Sequence, residues 1–167
     1  MTEDLETRRG VVTDEPDGRR RLEFRRSWPD PIEDVWSALT EPDRLVRWIG
    51  TFDGERRVGA TGTFTMTHEA EPVGEPMTIE VCEPPHRLVV LWPQADGEPW
   101  RVDLELREAG DRTVLRFLQH FPPGTDVTDY AGGWHWYLDK FDSVVGGRAA
   151  PADWDAFWAE VGPGYRA

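Results

Sequence analysis

Alternating apolar and polar positions in the first part of the chain predict a strand over residues 21–28. Residues 10–13 can pair with it as a hairpin across Asp17-Gly18, a dipeptide suited to a tight primed turn. By the period-two rule, one face of the longer strand carries Leu22, Phe24, Arg26 and Trp28. Arg26 is therefore the charged member of an otherwise apolar row.

The pattern changes to a helical period directly after this strand. Asp30 can accept hydrogen bonds from a first helical turn, Pro31 suits the first helical position, and Glu33 stands where a capping-box carboxylate would lie. The apolar positions that follow share one helical face: Ile32, Val35, Trp36 and Leu39. A second short helix is expected from Pro42 to Gly50, with Leu45 and Trp48 on its buried side.

The middle of the chain predicts at least five short strands joined by brief turns, a pattern typical of an antiparallel meander. In the first of these strands, Phe64, Met66 and His68 share a face. The later rows are Met77, Ile79 and Val81; Leu88, Val90 and Trp92; Trp100, Val102, Leu104 and Leu106; and Leu115, Phe117, Gln119 and Phe121.

A long helix is predicted from Val127 or Thr128 to about Val145, where Gly146-Gly147 end it. We expect its apolar face to lie across the concave side of the sheet. That face carries Tyr130, Trp134, Tyr137, Leu138, Phe141 and Val145.

Trp136 points away from this apolar face and needs a cover. Residues 151–167 offer one, because Asp153 can cap a short helix that would pack on the outside of the chain. Dimerisation is the other explanation. The apolar residues of the short helix are Trp154, Phe157, Trp158 and Val161.

Length, charge and cysteine content limit the classes of protein. We expect residues 1–8 to form a flexible tail and residues 9–167 a single domain, since 167 residues suit one core. Lys and Arg total 19 against 32 Asp and Glu, a net charge of -13, so nucleic acids and anionic membranes are not expected partners. The single Cys82, with no signal-peptide pattern or apolar membrane span, predicts a cytoplasmic location.

The run "VWSALTEPDRLVRWIG" and the later "GGWHWYLDKF" resemble the SRPBCC superfamily, which includes START domains and Bet v 1-like proteins. The resemblance covers about Arg9 to the C-terminus and is greatest to the branch named after the activator of heat-shock protein 90 ATPase. It implies an α+β helix-grip fold, in which a curved antiparallel sheet wraps a long C-terminal helix. Two short helices would follow the first long strand.

Such a fold leaves a hydrophobic cavity wherever facing side chains cannot fill the concave sheet, although the aromatic residues could also close-pack. The candidate lining residues are Arg26, Trp48, Phe64, Met66, His68, Trp92, Trp134 and Tyr137. Arg26 needs a carboxylate, several carbonyls, water or a ligand anion, because its guanidinium stays charged. His68 could bind a ligand, transfer a proton or be a structural histidine.

The sequence offers little for metal, nucleotide or covalent chemistry. The histidines at 68, 86, 120 and 135 have no recognised metal-ligand spacing with each other or with Cys82. Cys82 lies in the opposite strand phase from Ile79 and Val81 and has no base nearby in the sequence. Neither a nucleophile elbow nor a phosphate loop nor a dinucleotide fingerprint occurs. We therefore expect no cofactor and no metal.

These observations predict a protein that binds a small hydrophobic or aromatic molecule, with Arg26 and His68 orienting a polar end. One alternative is a chaperone-linked regulatory module, as the branch name implies, although the namesake's matching domain works beside another domain. Another alternative is a polyketide cyclase or aromatase-like enzyme that uses His68, Tyr137 and Arg26. A chaperone or a second copy of the chain is then a possible partner.

Overall fold

Eight strands form one antiparallel sheet within residues 8–94 and 97–165, which are the residues that the computed structural model describes. The predicted flexible tail therefore lies outside the described residues except for Arg8. The sheet order is β1-β2-β8-β7-β6-β5-β4-β3. The strands are β1 (Val11–Asp14), β2 (Arg20–Trp28), β3 (Thr51–Asp53), β4 (Thr61–Thr65), β5 (Gly74–Glu83), β6 (Arg87–Trp92), β7 (Trp100–Ala109) and β8 (Arg112–Phe121).

The helices confirm the predicted α+β helix-grip fold. Helices α1 (Ile32–Thr40) and α2 (Pro42–Leu45) follow β2, and the long helix α3 (Thr128–Val144) follows β8. Helix α4 (Trp154–Val161) continues into a 3-10 turn at Gly162–Gly164. Within the described residues, no helix is long and apolar enough to cross a membrane.

Helix α3 packs on the sheet through the predicted aromatic face. Phe141 is fully buried, with ring centroids 5.3 Å from Trp28 and 4.9 Å from Trp48. Further along α3, the Trp134 ring lies 4.9 Å from Phe117 of β8. The rings therefore join β2, the turn after α2 and β8 to one helix, and their large buried surfaces stabilise that arrangement.

The hairpin between β1 and β2 differs from the predicted two-residue primed turn. The N–H of Glu15 donates to the carbonyl of Arg19, and the N–H of Gly18 donates to the carbonyl of Glu15. This leaves a three-residue connection, in which Gly18 has a φ of 87°. A type I turn followed by a left-handed glycine fits this geometry, so the register is set by a longer loop than predicted.

The start of α1 also differs from the predicted capping box. The N-cap is Pro31, whose ψ of 151° keeps it extended, and among the described residues no side chain caps the helix. The carbonyl of Asp30 instead accepts a hydrogen bond from Oγ1 of Thr113 at 2.8 Å. Asp30 thus ties the helix start to β8 through its backbone, while Glu33 lies in the first turn, where a negative charge is favourable.

A β-bulge in β5 corrects the predicted Met77, Ile79 and Val81 row. Ile79 lies opposite Val90, but Val81 lies opposite Val89, so the register shifts between them. An extra residue reverses the side-chain phase of the rest of the strand. Cys82 consequently lies opposite Leu88 and joins the concave side, the opposite of the phase expected from strict alternation.

Helix α4 packs on the outer side of α3 at Trp136. The Trp136 ring lies 5.3 Å from Trp154 and 5.1 Å from Phe157. Asp153 caps α4, because its Oδ2 accepts a hydrogen bond from the N–H of Ala156 at 3.0 Å. The C-terminal segment of the same chain therefore supplies a cover for Trp136.

Candidate functional site

An apolar cavity of about 250 Å³ lies between the concave side of the sheet and α3. Trp134 and Leu138 of α3 form one wall, and alternating strand residues form the opposite wall. Residues of α1, α2 and the following loop close one side. The apolar residues that line the cavity are Trp36, Leu39, Leu45, Trp48, Ile49, Phe52, Phe64, Met77, Ile79, Leu88, Val90, Trp92, Val102, Leu104, Phe117, Trp134 and Leu138.

Two of the tryptophans in the wall have their polar atoms paired with the protein. The indole Nε1 of Trp48 donates to the carbonyl of Ala38 at 2.9 Å. The Nε1 of Trp134 donates to Oε1 of Gln119 at 2.8 Å, and the Trp134 ring lies 6.2 Å from Trp92. Because these donors are already satisfied, the two indoles contribute mainly apolar ring surface to the cavity.

The charged lining residues lie at the edge of the cavity. Glu41 and Arg56 are exposed to solvent and also line it, which places its mouth between the end of α1 and the β3–β4 loop. The Nη1 of Arg56 donates to the carbonyl of Thr40, and its guanidinium carbon lies 5.9 Å from the centre of the Phe52 ring. The mouth is therefore polar, whereas the interior is apolar.

Cys82 contributes a thiol to the cavity wall. Burial raises the pKa of this thiol above its ordinary value, since desolvation disfavours the thiolate. At neutral pH the side chain is thus a protonated, weakly polar group that extends the apolar lining.

The structure brings four of the eight predicted site residues together in the cavity wall: Trp48, Phe64, Trp92 and Trp134. Met66 follows β4 and packs against the core beside it. His68 lies in the next turn, where its Nε2 hydrogen-bonds with the carbonyl of Val46 at 2.8 Å. The predicted strand face that included His68 is wrong, because β4 ends at Thr65.

Tyr137 is buried on α3 but is not part of the cavity wall. Within the described residues, the Tyr137 hydroxyl has no hydrogen-bond partner. Burial raises the pKa of this hydroxyl, and the nearby negative charge of Glu69 raises it further. Tyr137 therefore stays protonated at physiological pH, and it lies near the loop that precedes β5 rather than among the cavity residues.

Arg26 also lies outside the cavity, in a buried ionic cluster between β2 and α3. Its Nη1 donates to Asp139 Oδ1 at 3.0 Å and to Asp142 Oδ2 at 2.9 Å. Its Nη2 donates to the carbonyl of Arg8 at 2.8 Å. Of the alternatives left open by the sequence, Arg26 has two carboxylates of α3 and one backbone carbonyl as partners, and it does not line the cavity.

Asp142 is held in this cluster by neutral and charged donors. Its Oδ1 accepts a hydrogen bond from Nε1 of Trp28 at 2.9 Å. Burial raises the pKa of Asp142, while the positive charge of Arg26 and the Trp28 hydrogen bond oppose that rise. Desolvation therefore disfavours the charged carboxylate, and Arg26 and Trp28 stabilise that charged form only in part.

His135 extends the buried cluster toward the C-terminus. Its Nδ1 lies 2.8 Å from the hydroxyl of Tyr165, which itself accepts a hydrogen bond from the N–H of Gly10 at 2.7 Å. Burial and the neighbouring arginine charges, with Arg26 first among them, lower the pKa of His135 to about 2. In the neutral tautomer with its proton on Nε2, His135 accepts a hydrogen bond from the Tyr165 hydroxyl at Nδ1, and Nε2 lies 3.5 Å from Oδ2 of Asp139.

Several lining residues were not predicted as site residues. Cys82 was placed in the wrong strand phase because a bulge has no reliable sequence signal. Glu41 and Arg56 have no sequence signal that distinguishes them from ordinary charges of helix ends and loops. Phe52 had a usable signal, because a lone aromatic residue between Gly50 and Gly54 indicates a buried anchor in a glycine-rich segment.

Comparison with known protein families places this chain in a known family. The sequence profile of the family "Activator of Hsp90 ATPase homolog 1-like protein" matches residues 30–146. The chain belongs to this family. A search of curated proteins found no match.

Solved structures of other proteins have the same fold. CalU16 from Micromonospora echinospora is 26% identical, with a TM-score of 0.71 over 93% of this chain and 92% of CalU16. A Bordetella parapertussis protein is 31% identical, with a TM-score of 0.71 over 87% of this chain and 84% of that protein. An Enterococcus faecalis protein of 20% identity shares the fold alone, with a TM-score of 0.68 over 96% and 95% of the chains.

Proposed function

We propose that this member of the Activator of Hsp90 ATPase homolog 1-like family binds a small hydrophobic, aromatic molecule in the cavity against α3. The observation that carries the proposal is the apolar space of about 250 Å³ with Phe64, Trp92 and Trp134 in its wall. A cavity of about 150 Å³ in another protein holds benzene, so a molecule of two fused rings suits this larger space.

The wall supplies affinity through burial rather than through hydrogen bonds. Each 100 Å² of apolar ligand surface removed from water contributes about 2.5 kcal/mol before the costs of association. Aromatic walls add edge and face contacts with an aromatic ligand.

The single Cys82 remains the basis for a further proposal, that the protein works in the reducing cytoplasm.

A chaperone-linked role is the second proposal, and the family match over residues 30–146 favours it. It predicts a complex between this chain and a chaperone ATPase and a changed ATPase rate. Analytical gel filtration and a phosphate-release assay would measure both. An unchanged ATPase rate without a complex would contradict this second proposal and leave ligand binding unaffected.

Native mass spectrometry of the protein purified from its own cells tests the proposed ligand. Leu88→Trp should obstruct the cavity and reduce its volume, because Leu88 lines it. Leu91→Trp is the matched control, since Leu91 lies on the same strand, is also partly buried and has the opposite phase. We expect an extra mass, released on denaturation, in the wild type and Leu91→Trp but not in Leu88→Trp. The same extra mass in all three would contradict binding in this cavity.

A further inference from the structure

We propose that Arg56 recognises the anionic end of an amphipathic ligand at the mouth of the cavity, so that the preferred ligands are aromatic monocarboxylates. The inference rests on the proposed function, because it concerns ligands whose apolar part occupies the same cavity. It replaces the expectation that Arg26 and His68 orient a polar end, since neither residue lines the cavity.

The position of a ligand's polar end follows from the distribution of polar groups around the cavity. The interior wall consists of aliphatic, aromatic, thioether and thiol side chains, whereas the polar lining residues Thr40, Glu41 and Arg56 lie at the end of α1 and in the β3–β4 loop, at the mouth. An ionised group inside would lose its hydration without a compensating partner. A charged ligand must therefore place its apolar part inside and its charge beside these polar residues.

Of the two charged residues at the mouth, Arg56 is the one that can bind the negative charge of a ligand. Its guanidinium is held by the carbonyl of Thr40 and lies over the Phe52 ring. Among the described residues, Thr40 is its only hydrogen-bond partner, which leaves N–H groups for a carboxylate. A planar guanidinium can bind a carboxylate through two parallel hydrogen bonds, and a side chain already held in place loses less freedom on binding.

Glu41 sets the expected limit on ligand charge. Its side chain is exposed and lies at the same mouth, so it repels anions across a solvent-screened distance. A ligand with one negative charge that contacts Arg56 is therefore favoured, because Glu41 would repel a second negative charge. The two residues should thus affect the affinity for an anionic ligand in opposite directions.

A pair of probes of similar shape tests the inference: 2-naphthoate and the neutral 2-methylnaphthalene. Arg56→Gln should weaken 2-naphthoate binding about tenfold, because a charge-assisted hydrogen bond is lost, and should leave 2-methylnaphthalene binding within about twofold. Glu41→Gln should strengthen 2-naphthoate binding about twofold. The matched control is Arg57→Gln, since Arg57 is exposed, pairs with Glu55 and does not line the cavity.

Calorimetric titration of both probes with the wild type and the three variants separates the outcomes. Equal weakening of both probes by Arg56→Gln would show a packing role and overturn the inference, while the proposed function would stand. Failure of the wild type to bind either probe would overturn the proposed function as well. Added salt should weaken 2-naphthoate binding but not 2-methylnaphthalene binding, and equal salt dependence would count against Arg56.

Discussion

Trp134 donates a hydrogen bond from its indole Nε1 to Oε1 of Gln119 at 2.8 Å, and both side chains are buried. The bond joins α3 to β8 behind the cavity wall. Within the described residues, the other amide atom of Gln119, Nε2, has no hydrogen-bond partner. Burial of the Gln119 amide therefore costs desolvation free energy, and the hydrogen bond to Trp134 offsets part of that cost.

Gln119→Leu should destabilise the protein by about 1–3 kcal/mol, because the buried Trp134 N–H loses its acceptor. Trp134→Phe removes the donor and part of the ring. In a double-mutant cycle measured by urea unfolding, the two changes should be coupled by about 1 kcal/mol. Additive effects would mean that this hydrogen bond contributes nothing to stability.

Arg26→Met should cost about 3 kcal/mol of unfolding free energy, since Asp142 would remain buried without its nearest cation, whereas Asp139 keeps its ion pair with Arg8. Arg25→Met is the control on the same strand. The Arg25 side chain is 63% exposed, so its replacement should change stability by less than about 0.5 kcal/mol. A similar effect for both variants in chemical denaturation would contradict the buried-cluster account.

The stability loss in Arg26→Met should also depend on pH. Burial raises the pKa of Asp142, and Arg26 is the largest influence that opposes the rise. Without Arg26, the folded state takes up a proton more readily than the unfolded state, so acid favours the folded variant. The stability difference from wild type should therefore shrink as pH falls, and a difference that grows in acid would contradict this assignment.

His135 should make the wild type sensitive to mild acid. Its folded-state pKa of about 2 lies far below its ordinary value, so between these values only the unfolded state binds the proton. Lowering the pH from about 7 to about 5 should cost the wild type about 2 kcal/mol more than His135→Gln, measured by urea unfolding. His120→Gln is the control, because the His120 side chain is 42% exposed. Equal losses in wild type and His135→Gln would contradict a buried neutral imidazole.

Two adjacent glycines of α3 should respond to alanine in opposite ways. A Cβ on Gly132 would lie 2.1 Å from Cζ3 of Trp158, whereas among the described residues a Cβ on Gly133 would meet nothing within 4 Å. Gly133→Ala should stabilise the protein by about 0.5–1 kcal/mol, because alanine favours helix. Gly132→Ala should displace α4 at a cost of about 1–3 kcal/mol.

Amide hydrogen exchange across Trp154–Val161 would show whether α4 is displaced. Exchange should quicken in Gly132→Ala and stay unchanged in Gly133→Ala. If both variants kept wild-type exchange and gained stability, the close packing of Trp158 on α3 would be wrong.

Periodicity predicted the strands and the long helix because burial on one face forces apolar residues into a period of two or of 3.6. The predicted face of α3 and the capping role of Asp153 follow from such local rules and agree with the structure. Local rules also explain the errors. Asp30 and Pro31 match a capping pattern, but the Asp30 side chain does not cap α1. The backbone carbonyl of Asp30 instead accepts a hydrogen bond from Thr113 of β8.

Neither the partners of Arg26 nor the polar residues of the cavity could be predicted from spacing alone. Arg26 was identified as a buried charge, but its partners Asp139 and Asp142 lie on α3, more than a hundred residues away in the chain. Arg56 reaches the cavity only through the fold of the β3–β4 loop. Aromatic lining residues were easier to predict, because large apolar side chains on strand and helix faces point to the core.

Calorimetric titration of 2-methylnaphthalene is the most direct test of the central claim that the cavity takes up an aromatic molecule. The wild type and Leu91→Trp should bind it with a negative heat-capacity change, as burial of apolar surface requires. Leu88→Trp should bind it at least about tenfold more weakly, because the larger side chain takes up part of the cavity, and urea unfolding checks that this variant remains folded. Binding by Leu88→Trp as tight as by the wild type, or no binding by the wild type, would contradict the account.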